Sequence, residues 1–137
     1  MQAEPASDTT SAFDQLRKHT TRYVVYKIKD LTICVDKISS RNVSYKDLMD
    51  YVSDTCPSFI VYDYEFVTAD GRTSSKMIFI YWKPLNTSQN EKIVYSQALH
   101  KFRASLAGVE YAEVEDEDEL RALLSKEVLD TRRLSKE

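Results

Sequence analysis

The chain has 137 residues, 42% of them hydrophobic, with only two Gly and three Pro. That is enough apolar material for one compact unit with a real core, and too little Gly and Pro for a linker-rich or disordered chain. A formal net charge of -3 and a pI near 5.5 exclude the strong basic excess of general nucleic-acid binders.

Cys34 and Cys56 are too few and too isolated for a disulfide scaffold or a Cys-x-x-Cys metal site. They are expected to be buried, reduced thiols. No apolar run approaches a membrane span, and no charged-then-apolar leader opens the chain, so the expected compartment is the cytoplasm.

Met1 to Ser7 is polar and expected to be loose. Ser7 or Asp8 can cap a first helix with a narrow stripe of Ala12, Phe13 and Leu16. Arg17, Lys18 and Arg22 follow near its C-terminal end, where cations complement the helix dipole. Tyr23 to Ile28 and Leu31 to Val35 read as strands of a hairpin joined tightly at Lys29-Asp30. In the second strand Leu31, Ile33 and Val35 alternate with Thr32, Cys34 and Asp36, the pattern of a strand near an edge with one wet face. Ser44-Tyr45-Lys46-Asp47 is a capping-box variant that starts a short helix through about Val52, and Pro57 closes the loop after it.

Ser58 to Val67 is the longest strand, with Ile60, Tyr62, Tyr64 and Phe66 on one face and Phe59, Val61, Asp63 and Glu65 on the other. Ala69-Asp70-Gly71-Arg72 signals a turn, and Met77 to Trp82 returns as a strand apolar on both faces. A strand buried on both sides needs helices covering both sides of its sheet. The chain supplies them from Asp8, from Ser44, and in two later segments.

The first of those later segments, Asn90 to Gly108, is the longest helical stretch; Gly108 is placed to end it as a left-handed cap. Tyr95, Leu99, Phe102 and Leu106 recur at i, i+4, i+7 and i+11 and share one face. At roughly 100° per residue the opposite arc carries Ile93, Ser96, Gln97, His100, Arg103 and Ala104, with Lys92 at its border. That arc is polar apart from Ile93, so it reads either as a solvated face or as a docking ridge with one apolar anchor. Val109 to Val114 can add a short strand. The acidic run Glu115 to Glu119 then leads into a helical stripe of Leu120, Leu123, Leu124 and Val128. Asp130 to Glu137 lacks apolar spacing and is expected to fray.

Catalytic chemistry finds little support. His19 and His100, the only histidines, sit in no metal-ligand pattern. Two Gly cannot build a phosphate-cradling loop, and no Gly-x-Ser-x-Gly elbow occurs. The carboxylates fall mostly on expected surfaces. No enzyme activity, cofactor or metal is expected.

The Tyr62-Asp63-Tyr64-Glu65-Phe66 strand, a strand ending Tyr81-Trp82-Lys83-Pro84, then Lys92-Ile93-Val94-Tyr95-Ser96 opening a long helix that ends Leu106-Ala107-Gly108, together resemble the ADF/cofilin family of actin-binding proteins. The likeness runs from about Phe13 to Leu124. It implies an α/β (α+β) fold: a mixed, mostly antiparallel sheet of five or six strands between helices, one domain spanning 1–137 with loose ends at about 1–7 and 130–137. It also implies binding to actin monomers and filaments, a shifted filament twist, and filament severing and disassembly, working by binding rather than by chemistry.

By the same resemblance the long helix enters a cleft between actin subdomains. Lys92-Ile93 matches the family's Lys-Met pair, Arg103 matches a basic residue, Ser96, Gln97 and His100 complete the arc, and Tyr95 is packing. A filament-only surface would comprise Lys76, with Arg72 nearby on its turn, and Lys126 on the last helix. Departures are Asn90 where a basic residue is common, Gln97-Ala98-Leu99-His100 in place of Ser-Ser-Lys-Asp, and Ala104 in place of a second basic residue. The thinner basic surface implies weaker steering and, at most, weak binding of phosphoinositides. The family's regulatory Ser-Gly falls near Met1, and Ser7, the first serine, lacks the following Gly. A monomeric protein of the actin cytoskeleton is expected. The alternatives are a debranching factor like the glia maturation factors, whose Asp-Gly-Arg turn resembles Asp70-Gly71-Arg72, and a module that only sequesters monomers.

Overall fold

The structure, a computed structural model, describes residues 4–5, 8–52, 56–106 and 108–127. Six strands form one sheet in the spatial order β1 (Glu4–Pro5), β3 (Thr32–Ile38), β2 (Tyr23–Lys29), β4 (Ser58–Val67), β5 (Thr73–Trp82) and β6 (Val109–Val114). The inner pairings are antiparallel, and the outermost pair on each side, β1 with β3 and β5 with β6, is parallel. The sheet is therefore mixed and mostly antiparallel, as expected. A parallel neighbour needs a crossover rather than a tight turn, and the long helix α3 (Gln89–Ala104) provides it between β5 and β6.

Helices cover both faces. The helix α1 (Asp8–Arg17) and α3 pack Ala12, Phe13, Leu16, Tyr95, Ala98 and Phe102 against Val24, Tyr26, Phe59, Val61 and Phe79. On the other face α2 (Tyr45–Tyr51) and α4 (Glu117–Leu124) place Leu48, Leu120 and Leu124 against Tyr23, Ile60, Tyr62, Ile80 and Trp82. The alternation in β4 is the one the sequence predicts. Each fully buried side chain of this kind contributes roughly 1.5–3 kcal/mol.

Several expectations are corrected. Glu4–Pro5, within the stretch expected to be loose, forms a two-residue strand paired with Thr32 and Ile33. The β2–β3 turn is Asp30-Leu31, both with positive φ (51° and 60°), so Leu31 is a turn residue and not the first of the strand. A bulge between Val25 and Tyr26 leaves Asp36 as the extra residue of β3. Gly108 has φ +78 but stands beyond the C-cap Ser105 and turns the chain into β6, rather than capping α3 directly. The left-handed cap occurs on α1 instead. There His19 (φ 59) donates its N–H to the Leu16 carbonyl and Thr20 donates to that of Gln15. Cys34 and Cys56 are thiols in no disulfide, and half-buried rather than buried. Ser7, Val128 and Asp130 to Glu137 lie outside the described residues.

Candidate docking surface

The Ser88 hydroxyl starts α3 by accepting the Glu91 N–H at 3.2 Å and donating to the Glu91 carboxylate. Burial of Tyr95, Ala98 and Phe102 then sets which way the helix faces. Phe102 meets the rings of Tyr26, Phe59 and Phe79 at centroid distances of 5.1, 5.7 and 5.9 Å. The Tyr95 hydroxyl accepts the Ile28 N–H at 2.9 Å, which ties the helix to the end of β2. Tyr95 is a packing residue, and burial pushes its phenol up to about 12.

With that side fixed, Lys92, Ile93, Ser96, Gln97, His100 and Arg103 all point to solvent. Ile93 is 46% exposed. Covering what remains open is worth about 1 kcal/mol, half the figure for a whole side chain. Lys92 and Ser96 share a hollow of about 160 Å³ with Tyr81, Lys83, Pro84, Leu85 and Glu115. Ser96 also hydrogen-bonds Tyr81, whose phenol is pushed up by burial and drawn back by that bond. His100 and Arg103 stand at a second hollow of about 220 Å³ over Ala104, Leu106 and Val109. The arc is thus continuous, with shallow hollows at both ends.

The three cations of the second surface are placed differently. Arg72 is exposed on the β4–β5 turn and pairs with Asp70 at 3.0 Å, where Gly71 supplies the positive φ of 87°. Lys76 is half-buried in β5; it pairs with Glu110 at 3.3 Å and lies over the rings of Tyr64 and Phe66. Lys126 is exposed but lies beyond the α4 C-cap Ser125, not on the helix.

Sequence reasoning missed three features. Asp63 and Glu65, although charged, are buried in a cluster with Arg22 and Arg41. Arg22 Nη1 donates to Glu65 Oε1 at 2.9 Å, Arg41 Nη1 to Asp63 Oδ2 at 2.6 Å and Arg41 Nη2 to Glu65 Oε2 at 3.0 Å. His19 Nδ1 is 2.7 Å from the same Asp63 oxygen. Arg22 is therefore a buried ion-pair partner and not a neighbour of the α1 dipole. The signal was available: two carboxylates on the apolar face of a central strand demand cationic partners. The second feature is Leu85, 69% exposed beside Lys92 and Ser96. The third is Tyr111, whose ring lies 4.0 Å from the Arg103 guanidinium.

Among the described residues no group of His, Cys, Asp and Glu is placed to hold a metal, and no helix is long and apolar enough to cross a membrane. Burial raises the Glu127 carboxyl, against hydrogen bonds from the Tyr62 hydroxyl and the Tyr45 N–H that pull it down.

Comparison with known proteins supplies the remaining findings. A family model described as cofilin/tropomyosin-type actin-binding protein matches residues 3–129. Actin-depolymerizing factor 5 of Arabidopsis thaliana is 36% identical over 106 residues, covering 75% of this chain and 73% of that protein. Actin-depolymerizing factor 11 of Oryza sativa subsp. japonica is 33% identical over 109 residues, covering 77% and 75%. Among solved structures, actin depolymerization factor 2 of Plasmodium berghei superposes with a TM-score of 0.81 at 23% identity, over 89% of this chain and 95% of that one.

Proposed function

The chain belongs to the ADF/cofilin family of actin-binding proteins, and on that premise we propose that it binds actin monomers and filaments and promotes filament severing and disassembly in the cytoplasm. The observation that carries this reading is Ile93, an apolar side chain left 46% exposed on the outward arc of α3 beside Lys92. Ile93 is the anchor that an apolar cleft on actin would cover, and Lys92 and Arg103 flank it as charges that orient the approach. Catalysis has no part in the mechanism. Tighter attachment to one filament twist than to another shifts the filament toward the favoured twist.

Lys92→Ala with Arg103→Ala is expected to weaken binding to monomer and filament alike while leaving the thermal unfolding midpoint unchanged. Undiminished monomer affinity in that variant overturns the assignment of α3. Arg72→Glu with Lys76→Glu is expected to reduce co-sedimentation with filaments more than monomer binding, and equal losses refute a separate filament surface.

One observation favours a second reading, a module that sequesters monomers without severing. Both Arg72 and Lys76 are already engaged within the chain, by Asp70 and Glu110, so little free positive charge remains on that side for a filament. Filament length after mixing separates the readings: shorter filaments support severing, while slow loss at unchanged breakage supports sequestration.

A further inference from the structure

We propose that Tyr111 is a positioning residue of the docking ridge, its ring holding the Arg103 guanidinium in the pose that meets an acidic side chain of the actin partner. This rests on the assignment of α3 as the actin-facing element. Arg103 lies near the C-terminal end of α3, exposed, and has no ion-pair partner among the described residues. A long, unpaired arginine on a helix surface samples many rotamers. Here its guanidinium carbon lies 4.0 Å from the centre of the Tyr111 ring. Contact with the ring uses the guanidinium's π face and leaves its edge, with the N–H donors, free to fork a carboxylate.

The ring is itself held at two points. Tyr111 pairs with Phe79 across the β5–β6 ladder, and the two rings lie 6.1 Å apart. Its hydroxyl donates to Glu113 at 2.7 Å, and Glu113 also takes the Lys83 ammonium at 2.9 Å. Lys83 and Tyr111 hold the Glu113 carboxyl below its ordinary range, and burial with the Glu113 bond pushes the Tyr111 phenol up. Glu113 therefore stays charged and occupied by two donors, so it does not compete for Arg103. Glu113 is taken by its own two donors, and the Arg103 cation is left to an aromatic face and remains available to a partner.

The test combines monomer-binding affinity with the side-chain NMR signal of Arg103 in the free protein. Tyr111→Leu keeps an apolar side chain but removes the π face, and is expected to weaken binding about threefold to fivefold. Tyr111→Phe keeps the face and is expected to stay within about twofold of the parent. Tyr111→Leu in an Arg103→Ala background is expected to add nothing. In the free protein the Arg103 Nε–H resonance should carry a ring-current shift that survives in Tyr111→Phe and vanishes in Tyr111→Leu. Equal effects of Tyr111→Leu with and without Arg103, or an unshifted resonance in the parent, overturn the positioning role. If Arg103→Ala alone binds actin as the parent does, Arg103 makes no contact with the partner and the proposal falls, while the double variant with Lys92→Ala judges the assignment of α3 itself. That outcome is recognisable because the resonance shift would be intact.

Discussion

On the α1/α3 side of the sheet, rings pack on rings: Phe59 lies 5.5 Å from Phe79, 5.2 Å from Tyr95 and 5.7 Å from Phe102. On the α2/α4 side the aromatic residues also fill the core, but their hydroxyls reach carboxylates: Tyr23 donates to Asp47, Tyr51 to Asp36 and Tyr62 to Glu127. The ring cluster of the first side is held by shape and apolar area, which do not titrate, although the Asp63 and Glu65 carboxylates share that face of β4 farther along the strand. The second is held partly by hydrogen bonds whose acceptors do. The helix that carries the proposed docking ridge is mounted on the first side, so its orientation is insulated from the protonation of the second.

The comparison breaks first on Phe59. Phe59→Ala empties the centre of the ring cluster and should cost about 3–5 kcal/mol by denaturant titration. A loss no larger than that of a hydroxyl deletion on the other side would end the distinction. Next comes Tyr62→Phe, which removes the hydroxyl donor from the half-buried Glu127. About 1–2 kcal/mol is expected, with the ring packing intact.

The smallest effects sharpen the contrast through pH, and they carry opposite signs. The Tyr23 hydroxyl bond, with Lys37, lowers the Asp47 carboxyl. Its stabilisation is therefore complete above the unfolded carboxylate range, near pH 4, and is lost as pH falls through the lower native value. The stability gap between the parent and Asp47→Asn should accordingly be widest near neutrality and close on acidification. Glu127 is raised by burial, so the native state binds its proton more tightly than the unfolded chain. Its contribution falls as pH rises from about 4 through the native value. The gap between the parent and Glu127→Gln should then narrow as pH rises. Parallel pH profiles for the two variants would contradict the assignment.

Much of the fold was legible in the sequence, because period-2 and period-3.6 spacing report burial directly. The two faces of β4 and the buried side of α3 came from that alone, and the start of α2 at Ser44 came from its capping-box wording. Unreadable parts were those where residues remote in sequence decide. Arg22 and Glu65 meet only because β2 and β4 pair in one register. Arg103 and Tyr111 meet only because β6 returns parallel to β5. Leu31 fitted a strand alternation, yet the turn claimed it, since the tight reversal takes its two central residues wherever the register puts them. On α3 the outward arc was legible from helical geometry. The internal partners of Lys76 and Arg72 were not, because a cation's availability depends on neighbours that spacing does not show.

The parallel return of β6 has a consequence for assembly. A strand that follows its neighbour through a helix cannot zip up from a turn, so the sheet's last edge closes only after α3 has been laid across it. Until then Met77 to Trp82 is an apolar ribbon with one side of its backbone unpaired, the situation that invites strand-to-strand association between chains. A chain ending at Ala104 should therefore self-associate through β5, and light scattering would register it. The segment that reaches outward is also the one that, by crossing over, lets the molecule seal its own border.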